Sequence, residues 1–129
     1  MRRKAEHGQL LQGLRILVAD DEIIIALDIE ATLSEAGAEV VGPFGTLRQT
    51  LEAAAIEPLS AAILDIRLGK VNTGPVAEKL VARRIPFLFY SGQSLPQDML
   101  AYSGAHPVLS KPAGNGAFVR ALLDLVGRD

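Results

Sequence analysis

The chain has 129 residues, enough for one domain with a real core by the usual measure of roughly 100 to 200 residues per domain. With 49% apolar residues, 22% charged residues and a formal net charge of −2, it has an ordinary globular composition and no strong electrostatic pull toward nucleic acid or an anionic membrane. Zero cysteines exclude disulfides, thiolate metal sites and a cysteine nucleophile. No apolar run approaches the roughly 18 residues of a membrane span, and the basic start Met1-Arg2-Arg3-Lys4 is not followed by the apolar core of a secretion signal. A cytoplasmic protein is expected.

Residues 1–13 read as a polar tail or linker, with His7 solvated in it and Leu10-Leu11 as its adjacent apolar pair; residues 14–129 read as one folded domain. A strand Arg15 to Ala19 is followed by a helix from about Glu22 to Ala36, closed by Gly37 where a left-handed residue usually stands. The next strand, Glu39 to Val41, is expected to break at Gly42-Pro43. Thr46 is placed to cap a helix over Leu47 to Ala55, and Pro58 precedes a strand that ends before Asp65. Gly69 to Gly74 reads as loop, with Pro75 in the first turn of a helix reaching about Arg84. Phe87 to Tyr90 is a strand, Leu95 to Ser103 a weak helical stretch, Pro107 to Leu109 a last strand with His106 at its entrance in a structural role, and Gly116 to Val126 a last helix. Five strand-then-helix units predict an α/β fold, a doubly wound parallel sheet with helices on both faces. The flavodoxin-like strand order 2-1-3-4-5 is the common solution for five strands.

Polar residues stand at four of the five strand ends: Asp20-Asp21, Asp65, Ser91 and Lys111. Ligands of parallel α/β sheets bind outside the carboxyl ends of the strands, so these residues would converge in one crevice. Adjacent carboxylates repel unless a cation holds them, and Mg²⁺ takes oxygen ligands from one or two carboxylates plus phosphate oxygens. With Lys111 the three aspartates leave a charge of −2, which a divalent cation balances. Each residue also has a plainer reading: acidic residues opening a helix, a strand-end hydroxyl, a solvated loop lysine. Asp65 resists it, because Ile66-Arg67-Leu68-Gly69 does not read as a helix start. Ile23-Ile24-Ile25 is read as helix core, with one residue near the rim able to dock a partner helix. No nucleophilic triad, glycine-rich phosphate loop or basic groove is present in the sequence.

From about Leu14 to Val126 the chain resembles a response-regulator receiver domain, and so a CheY-like (βα)5 fold. The resemblance implies Mg²⁺ binding by Asp20, Asp21 and Asp65 with the backbone carbonyl of Arg67, phosphorylation of Asp65, and contact of Ser91 and Lys111 with the phosphoryl group. It also implies a sensor histidine kinase or histidine phosphotransfer protein as donor, and a downstream protein partner. Asp65-Ile66-Arg67-Leu68-Gly69, Gly74-Pro75-Val76-Ala77 and Ile85-Pro86-Phe87-Leu88-Phe89-Tyr90-Ser91-Gly92-Gln93 are similar to an atypical alphaproteobacterial subgroup with a Phe-Ala-Thr-Gly-Tyr type fourth-strand motif. Tyr90 and Gln93 replace that motif's small and aromatic residues, Val108 stands where typical receivers have Tyr or Phe, and Gly69 where most have Pro.

The expected function is a two-component phosphorelay receiver that catalyses only its own phosphorylation and dephosphorylation. It would signal through protein contacts, with no output domain after Val126, and Arg67 and Gln93 would tune the lifetime of the phosphoryl group. Two other readings stay open: a receiver-fold binding module that works without phosphorylation, and a Mg²⁺-dependent phosphohydrolase with an aspartate nucleophile. Such hydrolases usually carry a second carboxylate two residues after the nucleophile, where this chain has Arg67.

Overall fold

The computed structural model describes residues 10–102 and 104–128; the basic start, His7 and Ser103 lie outside the described residues. In chain order the elements are β1 (Arg15–Ala19), α1 (Ile23–Glu35), β2 (Glu39–Phe44), α2 (Leu47–Ile56), β3 (Ala61–Leu64), β4 (Arg67–Leu68), β5 (Val71–Asn72), α3 (Gly74–Ala82), β6 (Phe87–Ser91), a 3₁₀ segment (Gln97–Tyr102), β7 (Val108–Ser110) and α4 (Asn115–Val126). The main sheet has the order β2-β1-β3-β6-β7, all neighbours parallel. With β6 and β7 as fourth and fifth strands, this is the order 2-1-3-4-5 expected from the sequence.

Strands β1, β3 and β6 are buried along nearly their whole length, which is why they read as unbroken apolar runs: a central parallel strand is covered on both faces. Alternate residues supply two separate cores. Ile16, Val18, Ile63, Leu88 and Tyr90 pack under α1 and α4, against Ile29, Leu33, Phe118 and Leu122. Leu17, Ala19, Leu64, Phe87 and Phe89 pack on the other face against α2 and α3, through Ala53, Ala54, Val76 and Leu80. Each fully buried Leu, Ile or Phe contributes roughly 1.5–3 kcal/mol. The packed chain reaches back beyond Leu14: Leu11 is wholly buried in the first core, its amide donates to Ala36 O (2.7 Å), and Arg128 donates to Gln12 O (2.9 Å).

Two local expectations need correction. Gly42-Pro43 does not end β2. The strand runs on to Phe44, and a register shift between Leu17 and Ala19 absorbs the irregularity. Proline is tolerated there because β2 is an edge strand, where a missing N–H leaves no central ladder bond unmade. Gly42 has φ +107°, and a Cβ on it would lie 2.8 Å from Val18 O and 2.9 Å from Phe44 N, so only glycine fits without displacing backbone. The 69–74 loop instead contains half of a small antiparallel hairpin, β4 paired with β5. The weak helical stretch expected after β6 is present as a 3₁₀ segment. Pro96 opens it and Met99 is its one buried residue, so it lacks the apolar stripe that stabilises an α-helix.

Candidate functional site

The paired ends of β1 and β3 put two of the acidic residues side by side. Ala19 and Leu64 are register partners, so Asp20 and Asp65 leave the sheet together. Asp65 N donates to Ala19 O (2.9 Å) and Asp20 N to Phe44 O (3.0 Å); the continuation of β2 past Pro43 thus anchors Asp20. Asp20 Oδ1 accepts from Glu22 N (2.9 Å), Asp65 Oδ1 from Ile66 N (2.7 Å), and Asp21 Oδ2 from Gly69 N (2.7 Å). Gly69 adopts φ +64°, a conformation cheap for glycine, and so its amide can face Asp21. Asp20, Asp21 and Asp65 each offer an oxygen within 4.8 Å of the others; the first and third are buried and Asp21 is exposed.

Lys111 reaches this cluster from the end of β7. Its Nζ lies 3.0 Å from Asp20 Oδ2, 3.0 Å from Asp65 Oδ2 and 2.7 Å from Glu22 Oε1, with only 12% of the side chain exposed. The contact with Asp20 Oδ2 is an ion pair without a well-directed hydrogen bond, so this buried oxygen keeps its acceptor capacity. Burial by itself lowers the lysine pKa, but the hydrogen bonds to Glu22 and Asp65 and the ion pair with Asp20 together outweigh it and hold the ammonium charged well above its ordinary range. Burial pushes the Asp20 carboxyl up, and the charge of Asp65 adds to this; the Glu22 amide and Lys111 offset it only in part. Four carboxylates, Asp20, Asp21, Glu22 and Asp65, stand against the one ammonium of Lys111, so the pocket carries more negative charge than it balances. The hard-oxygen donor set, the excess charge and the unsatisfied Asp20 Oδ2 all fit a small divalent cation such as Mg²⁺.

The other predicted residues lie around this centre. Ser91 is buried at the end of β6; its Oγ accepts from Gln93 N (3.2 Å) and its carbonyl from Lys111 N (3.0 Å). Arg67 is exposed at the start of the β4–β5 hairpin. Beside Ser91 an open groove of about 400 Å³ is lined by Gln93, Leu95, Leu100, Val108 and Ser110. Two of the three isoleucines are not core: Ile23 is 73% and Ile24 81% exposed, while Ile25 is half-buried against the first core and the fully buried stripe of α1 begins at Ala26.

Sequence reasoning missed three residues. Glu22, read only as part of a helix start, is a third carboxylate on Lys111; its place in the acidic run was the available signal. Thr73 is wholly buried and donates to Asp65 O (2.7 Å), tying the loop that carries the aspartate to the start of α3. Tyr90 lies beneath Lys111, with Nζ 5.6 Å from its ring centroid.

Solved structures with the same architecture decide the fold. A response regulator receiver protein from Sinorhizobium medicae is 26% identical, with a TM-score of 0.74 over 91% of this chain and 97% of its own. A CheY-like receiver domain protein from Methanospirillum hungatei superposes with a TM-score of 0.79 at 19% identity, over 88% and 94% of the two chains. The fold is that of a CheY-like receiver domain. The receiver domain of a sensor histidine kinase from Pseudomonas aeruginosa, 24% identical with a TM-score of 0.77 over 89% of this chain and 98% of its own, holds a magnesium ion coordinated in its active site cleft. Among curated proteins, the transcriptional regulatory protein PdtaR of Mycobacterium tuberculosis is 30% identical over 71 residues, 55% of this chain. That match spans 35% of the relative's length. No family model matches. Among the described residues no helix is long and apolar enough to cross a membrane.

Proposed function

We propose that this chain is a two-component receiver that accepts a phosphoryl group on Asp65 from a phosphohistidine of a sensor kinase or phosphotransfer protein. The observation that carries the reading is the Lys111 ammonium held between Asp20 and Asp65, at 3.0 Å from each. In the transfer, a carboxylate oxygen of Asp65 attacks phosphorus; the P–O bond forms as the P–N bond breaks, and the imidazole leaves, taking a proton from solvent. Lys111 neutralises charge on the transferring oxygens, and the fixed strand ends hold the nucleophile in place, so catalysis is positioning plus electrostatics. Asp20, Asp21 and Asp65, with the Arg67 carbonyl, would hold Mg²⁺, which supplies charge neutralisation for the phosphoryl group. Ser91 donates its hydroxyl to a phosphoryl oxygen, which leaves its oxygen able to go on accepting from Gln93 N. Arg67 and Gln93 set access of water to the acyl phosphate.

The motif around Phe89-Tyr90-Ser91-Gly92-Gln93 supports membership of the atypical alphaproteobacterial subgroup. The exposed Ile23, Ile24 and Leu27 at the start of α1 supply an apolar face beside the acceptor for a donor helix. The signal then passes by protein contact, in the cytoplasm. The position two residues past Asp65, where an aspartate-nucleophile hydrolase needs a second carboxylate, is occupied by the exposed Arg67, which favours acceptance over turnover.

The test is intact-mass spectrometry after incubation with acetyl phosphate and Mg²⁺. The expected result is one added phosphoryl group, which does not form when Mg²⁺ is chelated beforehand and is absent in Asp65→Asn. Undiminished labelling of Asp65→Asn would overturn the assignment of the acceptor. A wild-type chain inert to acetyl phosphate, to the phosphoryl analogue beryllofluoride and to phosphohistidine donors would favour a binding module that works without phosphorylation.

A further inference from the structure

Lys111 ends a flexible four-carbon stem, and three carboxylates pull its ammonium in different directions: Asp20 and Asp65 inward and Glu22 toward solvent, Glu22 being 57% exposed at its side chain. Coulomb attraction alone does not choose among them. The segment that carries the lysine is fastened at two points. Lys111 N donates to Ser91 O (3.0 Å), and two residues on, Ala113 N donates to the Tyr90 hydroxyl (3.0 Å). The same tyrosine ring lies below the ammonium, 5.6 Å from centroid to Nζ, within the range of a cation–π contact. Tyr90 is 5% exposed, and its ring meets Phe118 of α4 edge to face at 4.5 Å, so its own position is fixed by packing.

We infer that Tyr90 is a positioning residue for Lys111: its hydroxyl pins the backbone just past the lysine, and its ring gives the ammonium an uncharged contact besides the carboxylates. This rests on the acceptor reading above. The ring contact does not compete with phosphorylation. When Asp65 takes up a phosphoryl group the carboxylate partners of Lys111 are redistributed, whereas the ring face is uncharged and stays in place. Tyr90 also points to the α1 and α4 face of the sheet, and the neighbouring Ser91 to the other. Two adjacent residues of β6 therefore serve the same site from opposite faces, one through the lysine and one through a hydroxyl. A buried tyrosine needs a partner for its hydroxyl, and here that partner is the amide two residues past Lys111, so the packing of the ring and the path of the lysine segment are tied together.

The experiment compares wild type, Tyr90→Phe and Tyr90→Leu for the affinity of Mg²⁺ alone, the affinity of beryllofluoride at saturating Mg²⁺, and the melting temperature. Tyr90→Phe keeps the ring and deletes the acceptor of Ala113 N. It is expected to weaken beryllofluoride binding by about tenfold, with Mg²⁺ affinity changed by less than about twofold, since the carboxylates are untouched. Tyr90→Leu deletes ring and hydroxyl together and is expected to weaken the analogue by about a hundredfold; should it fail to fold, Tyr90→Phe decides alone. Equal beryllofluoride affinity in wild type and Tyr90→Phe, or an equal loss of Mg²⁺ and beryllofluoride affinity, would overturn the role of Tyr90 and leave the acceptor reading standing. A wild type that binds Mg²⁺ but forms no beryllofluoride adduct would remove the acceptor reading, and the role of Tyr90 with it.

Discussion

The carboxyl edge of the sheet is built in two ways. On the β1 and β3 side, Asp20 and Asp65 have their backbone N–H groups and at least one carboxylate oxygen engaged, Asp21 is held by Gly69 N, and Lys111 bridges the pair. On the β6 and β7 side, β7 is three residues long, the connection after β6 is a single 3₁₀ segment, and Ser91, Leu100 and Val108 border an open groove. The difference assigns the two sides different work. Electrostatic catalysis needs groups fixed before the reaction, and segments that change conformation are drawn from those with few buried contacts. The β1 and β3 side suits the chemistry, and the β6 and β7 side suits its readout.

The sharpest way to break the contrast is to remove the cation that ties the fixed side together. Lys111→Met is expected to lower the rate of phosphorylation by acetyl phosphate about a hundredfold and, by deleting a like charge, to raise Mg²⁺ affinity. Stopped-flow phosphorylation and a Mg²⁺ titration followed by NMR check both; an unchanged rate would contradict the fixed-side account. Gly42→Ala strikes the same side through its backbone. A Cβ there meets Val18 O and Phe44 N on the path that anchors Asp20, so a loss of about 2 kcal/mol in denaturant unfolding is expected.

The smallest effect belongs to the looser side. His106 stacks on Phe87, with centroids 3.9 Å apart, and burial lowers its pKa, a backbone hydrogen bond at Phe87 offsetting this in part. With the folded pKa below the unfolded one, the unfolded chain binds more protons, so stability rises with pH and is lost as pH falls through the folded value. Between about pH 7 and pH 5 the wild-type melting temperature should therefore fall more steeply than that of His106→Leu. The partial exposure of His106 keeps the difference small, and parallel slopes would remove the effect.

The same contrast separates what the sequence showed from what it hid. The strands themselves and the convergence of Asp20, Asp65 and Lys111 were legible because central parallel strands are continuous apolar runs whose ends are sharp; their order was not in the pattern and followed from the common solution for five parallel strands. The isoleucine run misled at Ile23 and Ile24 because three successive helical residues span about 200° of arc, too wide for one buried face; Ile25 packs at the edge of the stripe Ala26, Ile29 and Leu33. The β4–β5 hairpin has strands of two residues, too short for any alternation to register. Glu22 and Tyr90 were hidden for a different reason. Their contacts with Lys111 depend on side-chain reach across elements far apart in the chain, which periodicity does not encode.

The central claim is that Asp65, and not its acidic neighbours, carries the phosphoryl group. The most direct measurement is to treat the chain with acetyl phosphate and Mg²⁺, reduce any acyl phosphate with borohydride, and map the resulting homoserine by peptide sequencing in the mass spectrometer. The account predicts homoserine in place of Asp65 alone; homoserine in place of Asp20 or Asp21, or none in a chain that gained phosphate, would contradict it.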